Sequence, residues 1–297
     1  MKETTTLRMP SGKSRIPARG LQELNPYLKS EDGKTVNTWG IPNNLFRTMA
    51  WHPRLALTEV DYANAFIFDD ASYTACPSFD GRPGNVLFPE AGFVDRVTKE
   101  LVINLVSLLN RSRYSITHHT VIGYFTLSSI LDKTRAEELL LNLVDDNANP
   151  AFEGKTSHGN PLYSEIQLHA LRLAVKLRGD AHDVTDEELG QLRTLMAESA
   201  KERIATSVLV SEPASKTPEY LAAFVNAMMV ELTWCIVHFA GLLNKWFTVL
   251  RVEDEQYTVT APGPEPRTFV EVYNLNVPEA IKKRNNALLG NDGWGGR

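Results

Sequence analysis

The chain has 297 residues, 43% of them hydrophobic and 23% charged, with a formal net charge of −5. That is ordinary globular composition, long enough for one large domain or two small ones. It argues against a nucleic-acid binder, which needs a basic surface to displace counterions, and two cysteines without paired spacing exclude a disulfide framework.

Residues 1–35 mix Pro, Gly, Ser and charge, and read as a solvated arm whose basic groups are Lys2, Arg8, Lys13, Arg15 and Arg19. The polar start has no apolar leader, and both cysteines suit a reducing compartment, so a cytoplasmic protein is expected. "IPNNLFRTMAWHPRLALTEVDYANAFIF" starts a helix near Pro42, breaks it at Pro53, and begins another from about Arg54 to Phe68. "DDASYTACPSFDGRPGN" is a loop by its punctuation, which leaves Cys76 exposed. From about Gly92 to Leu109, Val97, Leu101, Val102, Leu105 and Leu108 recur at helical spacing. "NRSR" interrupts, and Ser112 or Asn110 can cap the next helix, which runs towards Leu131. Another helix is predicted from Lys133 to Val144, followed by a polar loop.

"YSEIQLHALRLAVKL" predicts an amphipathic helix closed by Gly179, and Thr185 with Glu188 forms a capping box for the next. Residues 220–250 are apolar enough to span a membrane. Asn226, Glu231, His238, Asn244 and Lys245 interrupt them, so a buried helix holding Cys235 is the better reading and no membrane is expected. After Asp254, "EQYTVTA" and "TFVEVYN" alternate with period two and leave room for a minor β element near the C-terminus. The final "GNDGWGGR" is expected to be mobile. The fold class is all-α, with an arm at 1–35, a helical domain at 36–254 and an extension at 255–297.

Chemistry concentrates in "NRSRYSITHHT", residues 110–120. Ser112, Ser115 and His119 fall on one stripe of a helix, Tyr114 and His118 on another. Glu100 interrupts the preceding apolar helix, and antiparallel pairing would bring it to His119. A carboxylate beside an imidazole makes an acid–base couple near neutral pH. The bland alternative is a glutamate at the edge of an apolar face and a satisfied core histidine. Metal binding is disfavoured, because His118 and His119 point about 100° apart and His169 and His238 would have to be delivered by the fold. A Ser115–His119 hydrolase lacks a glycine-rich nucleophile elbow.

"ELVINLVSLLNRSRYSITHHT" resembles the signature of the alkylhydroperoxidase D-like (AhpD-like) and carboxymuconolactone decarboxylase family, a glutamate followed by "N-x-C-x-Y-C-x-x-x-H". Glu100, Asn110, Tyr114 and His119 match it, while Ser112 and Ser115 stand where the family has redox cysteines. Weaker likeness extends over residues 36–254. The resemblance implies an AhpD-like helical bundle that assembles as a homo-oligomer, a trimer or a multiple of one. With serines in place of the thiols, thiol peroxidase chemistry does not carry over, and the decarboxylase branch is the nearer analogue. The expectation is a lyase or isomerase with no cofactor and no metal, acting on a small carbonyl, carboxylate or lactone substrate. In it His119 is the acid or base, Glu100 orients it, and Ser112, Ser115 and Tyr114 hold the substrate, with His118 a further binding residue. The alternatives are a non-catalytic assembly or binding protein of the same fold, and an oxidoreductase with a recruited metal or flavin.

Overall fold

Nearly every apolar run becomes α-helix. The computed structural model describes residues 5–19, 44–52, 54–56, 58–59, 93–152, 161–206, 217–255 and 267–295. Its helices are α1 (Asn44–Met49), α2 (Arg96–Leu109), α3 (Arg113–Ile130), α4 (Lys133–Leu141), α5 (Glu165–Arg178) and α6 (Asp186–Thr206). Then come α7 (Pro218–Val237), a π-helical segment (His238–Leu243), α8 (Asn244–Leu250), α9 (Phe269–Asn276) and α10 (Glu279–Leu289). The fold is all-α: among the described residues β structure is confined to isolated bridge positions, such as the pairing of Val144 with Pro150. Cys76, most of the helix expected from Arg54 to Phe68, and "EQYTVTA" beyond Glu255 lie outside the described residues.

α2 is the central element. Asp95 caps it by accepting from the Thr98 amide, and all 14 of its residues are buried, as befits a helix covered on every side. α3, α5, α7 and the π segment pack around it. Burying a Leu or Val side chain stabilises by roughly 1.5–3 kcal/mol, and Leu101, Val102, Leu105 and Val106 are all in this core. α3 returns antiparallel: Asn104 lies beside His119, and Glu100 beside Gly123. Between them Asn110 ends α2 as its C-cap, Arg111 takes a left-handed φ of 50°, and Ser112 sits at the N-cap of α3 without a side-chain bond.

The capping box of Thr185 and Glu188 forms as expected, and Ser164 with Gln167 makes another at the start of α5. Residues Pro218–Leu250 are by length and composition able to cross a membrane. Here Val225, Met228, Leu232, Cys235 and Ile236 are buried on one side, while Val230, Trp234 and Val237 face outward. The run is therefore buried along one face, not wholly.

Three expectations near the chain's ends are corrected. "TFVEVYN" is helix α9, not strand. Thr268 and Glu271 form a capping box, and Phe269, Val272 and Tyr273 sit at i, i+3 and i+4 against the core, which overrides β propensity. The glycine-rich tail is docked. Trp294 is buried and donates from Nε1 to the Ser11 carbonyl at 2.6 Å, and a Cβ on Gly295 would stand 2.1 Å from the Arg111 carbonyl. The basic arm is laid down too: Leu7 is buried, and the Leu7 and Arg8 amides donate to Asn274 and Asn286.

Candidate functional site

Adjacent positions on α3 send His118 and His119 into two separate buried carboxylate clusters. In the first, His119 Nδ1 stands 3.5 Å from Oε2 of Glu100, an ion-pair distance a few tenths of an ångström too long for a hydrogen bond. Glu100 is fully buried and also pairs with Arg96 one turn earlier on α2. Asn104, one turn later, donates to the Glu100 carbonyl and the His119 carbonyl, both at 2.9 Å, and lies 3.5 Å from Glu100 Oε2. Gly123 makes this approach possible: a Cβ there would come within 2.6 Å of Asn104 Nδ2 and 3.5 Å of Glu100 Oε2.

Burial raises the proton affinity of Glu100, but Arg96 first and His119 second outweigh it, so its pKa falls below the usual range. Burial pushes His119 the other way, below its ordinary 6.5, against the pull of Glu100. The result is an ionised carboxylate beside a neutral imidazole. Nδ1 is buried and makes no hydrogen bond among the described residues, the His119 side chain keeps 12% exposure, and Phe239 of the π segment packs edge-on against the ring at 4.8 Å. Nothing among the described residues hydrogen-bonds Nε2.

The second cluster is closed and fully used. His118 lies between Tyr114 and Phe269, with ring centroids at 3.9 and 4.2 Å and planes within 22° and 18° of parallel. Its Nδ1 meets the Tyr114 carbonyl at 2.7 Å and its Nε2 meets Glu255 at 2.6 Å. Glu255 also accepts from the Tyr114 hydroxyl at 2.7 Å and the Asn44 amide at 2.6 Å. Burial would lower His118, but Glu255 and then Asp254 overcome it and raise its pKa. Tyr114 thus belongs to this cluster and does not face His119.

No protein-family model matches this chain. No curated protein matches it either.

Of the residues singled out from sequence, the structure brings Glu100 to His119 and Tyr114 to His118. Ser112 and Ser115 are buried, and their hydroxyls have no hydrogen-bond partner among the described residues. His238 pairs with Glu59 at 2.8 Å, and His169 lies on α5, so the four histidines weighed as metal ligands do not meet. Cys235 is enclosed in the core, and burial pushes its thiol up to about 12, so this cysteine is held as a thiol.

The sequence reading passed over Arg96, Asn104 and Gly123. Each stands four residues from Glu100 or His119, so the helical i, i+4 rule would have found them. It also passed over Arg113, buried inside the quoted stretch. Its guanidinium donates to Asp254 at 2.9 Å from Nε, and from Nη1 to the carbonyls of Arg8 and of Gly293, the latter at 3.1 Å. No local spacing signals those partners.

Proposed function

We propose that the protein is an acid–base enzyme acting on a small carbonyl, carboxylate or lactone substrate, without thiol peroxidase activity. The observation that carries this reading is the Glu100–His119 couple: an ionised, Arg96-held carboxylate stands 3.5 Å from Nδ1 of a neutral imidazole, close enough to bond it after a small shift, and leaves Nε2 to take a proton. An orienting carboxylate behind a neutral histidine is the arrangement general-base catalysis uses. Asn104 and Gly123 serve as positioning residues, because they fix the spacing of the two helices that carry the couple. The family resemblance of residues 100–119 supports the same assignment. His118, Tyr114 and Glu255 have a structural part in it.

The test is a panel of small lactones, β-keto acids and enolisable carboxylic acids followed by proton NMR. Turnover of a panel member should fall by about 10²–10⁴-fold in His119→Ala and by a comparable factor in Glu100→Gln, while His118→Gln keeps most of it. Turnover that survives His119→Ala would remove the assignment.

A second reading, a non-catalytic binding or assembly protein, is favoured by one observation. Phe239 packs edge-on against His119, and Ser112 and Ser115 are fully buried with no hydrogen-bond partner among the described residues. Under that reading His119→Ala changes stability and no panel member is consumed.

A further inference from the structure

Asn110, at the end of α2, has no part in the acid–base reading, yet both ends of its side-chain amide are taken. Nδ2 donates to the Ala240 carbonyl at 2.9 Å, and Oδ1 accepts from Arg178 Nε at 3.1 Å. Arg178, the last residue of α5, also donates from Nη2 to the Leu109 carbonyl at 3.0 Å. These two bonds fix which way the amide faces, because a guanidinium only donates and a carbonyl only accepts.

Ala240 lies inside the π segment. In an α-helix its carbonyl would take the amide of Asn244, four residues on. Here the Asn244 amide reaches back five residues instead, to the Phe239 carbonyl. The Asn110 amide therefore supplies a donor to the carbonyl that the π register has turned away from Asn244. Asn244 is itself directed to α2: it is buried, and its Nδ2 donates to Ser107 Oγ at 3.3 Å. The two residues that an α-helix would bond to each other are thus each bonded to the C-terminal end of α2.

The place of the π turn matters to His119. Phe239 belongs to that turn, and its ring meets the imidazole edge-on at 4.8 Å. Moving the extra residue of the turn past Phe239 would swing this side chain by roughly 100° about the helix axis.

We propose that Asn110 is a positioning residue for the Glu100–His119 couple: by donating to the Ala240 carbonyl it holds the π turn in the place that sets the Phe239 ring against His119. The inference rests on the acid–base reading, but its test observes the imidazole and needs no substrate.

That test is a double-variant cycle in the full chain, read by NMR titration of the His119 ring. Burial holds the pKa of His119 below 6.5. Loss of the Phe239 ring admits water, so Phe239→Ala should raise the midpoint towards 6.5. Asn110→Ala should move it in the same direction. The two changes together should move it no further than Phe239→Ala alone, since Asn110 acts through Phe239. The charged or titratable groups about His119 are Glu100 and Arg96 on α2, His118 beside it, and His238 against Phe239 in the π segment, and none of these variants replaces them. Thr185→Ala, which removes the cap of α6, should leave the midpoint in place and so separates positioning from general loosening. If Asn110→Ala does not fold, Asn110→Leu, which keeps the size and loses the amide, takes its place. A midpoint unmoved by loss of the Asn110 amide, shifts that add in the double variant, or an equal shift in Thr185→Ala would overturn the proposal. Turnover of a panel substrate with an unmoved midpoint would overturn this proposal alone. A shifted midpoint with no turnover would overturn the acid–base reading alone.

Discussion

His118 and His119 are one residue apart, yet burial has opposite consequences for them. His118 is sandwiched between two rings, hydrogen-bonded at both nitrogens, and flanked by Glu255 and Asp254, so it holds its proton more tightly than a free histidine. His119 has one carboxylate at 3.5 Å, already committed to Arg96, and loses proton affinity to burial. The lesson is that a neighbouring carboxylate does not by itself set a histidine's charge. What matters is whether that carboxylate has charge left over once its other partners are counted. A satisfied cluster joins segments of the chain, and an unsatisfied one is available for chemistry.

The comparison breaks most visibly at Glu255. Glu255→Ala removes one side chain that serves His118, the Tyr114 hydroxyl and the Asn44 amide together. Loss of a partner from a buried ion pair costs about 3–5 kcal/mol, and urea denaturation should show a loss of that order. A loss below about 1 kcal/mol, the worth of a surface pair, would mean that the cluster does not hold the chain together.

Gly123→Ala probes the other side on a smaller scale. The added methyl meets Asn104 at 2.6 Å, and overpacking of this kind costs about 1–3 kcal/mol. Gly190→Ala on exposed α6 meets nothing within 4 Å and should stabilise by about 0.5–1 kcal/mol. If both glycines tolerate alanine equally, the α2–α3 spacing is not set at Gly123.

The finest test is titration of the two imidazoles by NMR. His118 should titrate above 6.5 and His119 below it. The stability consequences have opposite signs. The contribution of His118 is complete below pH 6.5 and is lost as pH rises through its raised folded value. That of His119 is complete above pH 6.5 and is lost as pH falls towards its lowered folded value. Accordingly His118→Gln should flatten the alkaline side of the stability profile. Coincident titration of the two rings would erase the distinction drawn between them.

The Glu100–His119 couple was legible in sequence because both residues lie on one helical hairpin, where spacing alone fixes who meets whom. The same rule separated the Tyr114–His118 stripe from the His119 stripe. Glu255 was not legible as the partner of His118, since 137 residues separate them and only the packed fold joins them. Residues 268–274 misled through their alternating valines and tyrosine, whose pull is weaker than a capping box over a packed face. The tail misled because its glycines signal freedom, while one tryptophan among them supplies the anchor. Helices from Arg96 to Leu250 were readable, but α9, α10 and the π turn were not: no residue pattern in "HFAGLL" announces the last.

Arg113 sets a timetable for making the molecule. Its guanidinium is buried at the start of α3, yet one of its acceptors is the carbonyl of Gly293, 180 residues later in the chain. At a synthesis rate of about 5–20 residues per second, that acceptor emerges roughly 10–40 s after Arg113 does. A buried charge cannot wait in an apolar core for so long. Until then the Arg113 end of the hairpin lacks that acceptor, so the full set of bonds at the start of α3 waits for the last residues of the chain.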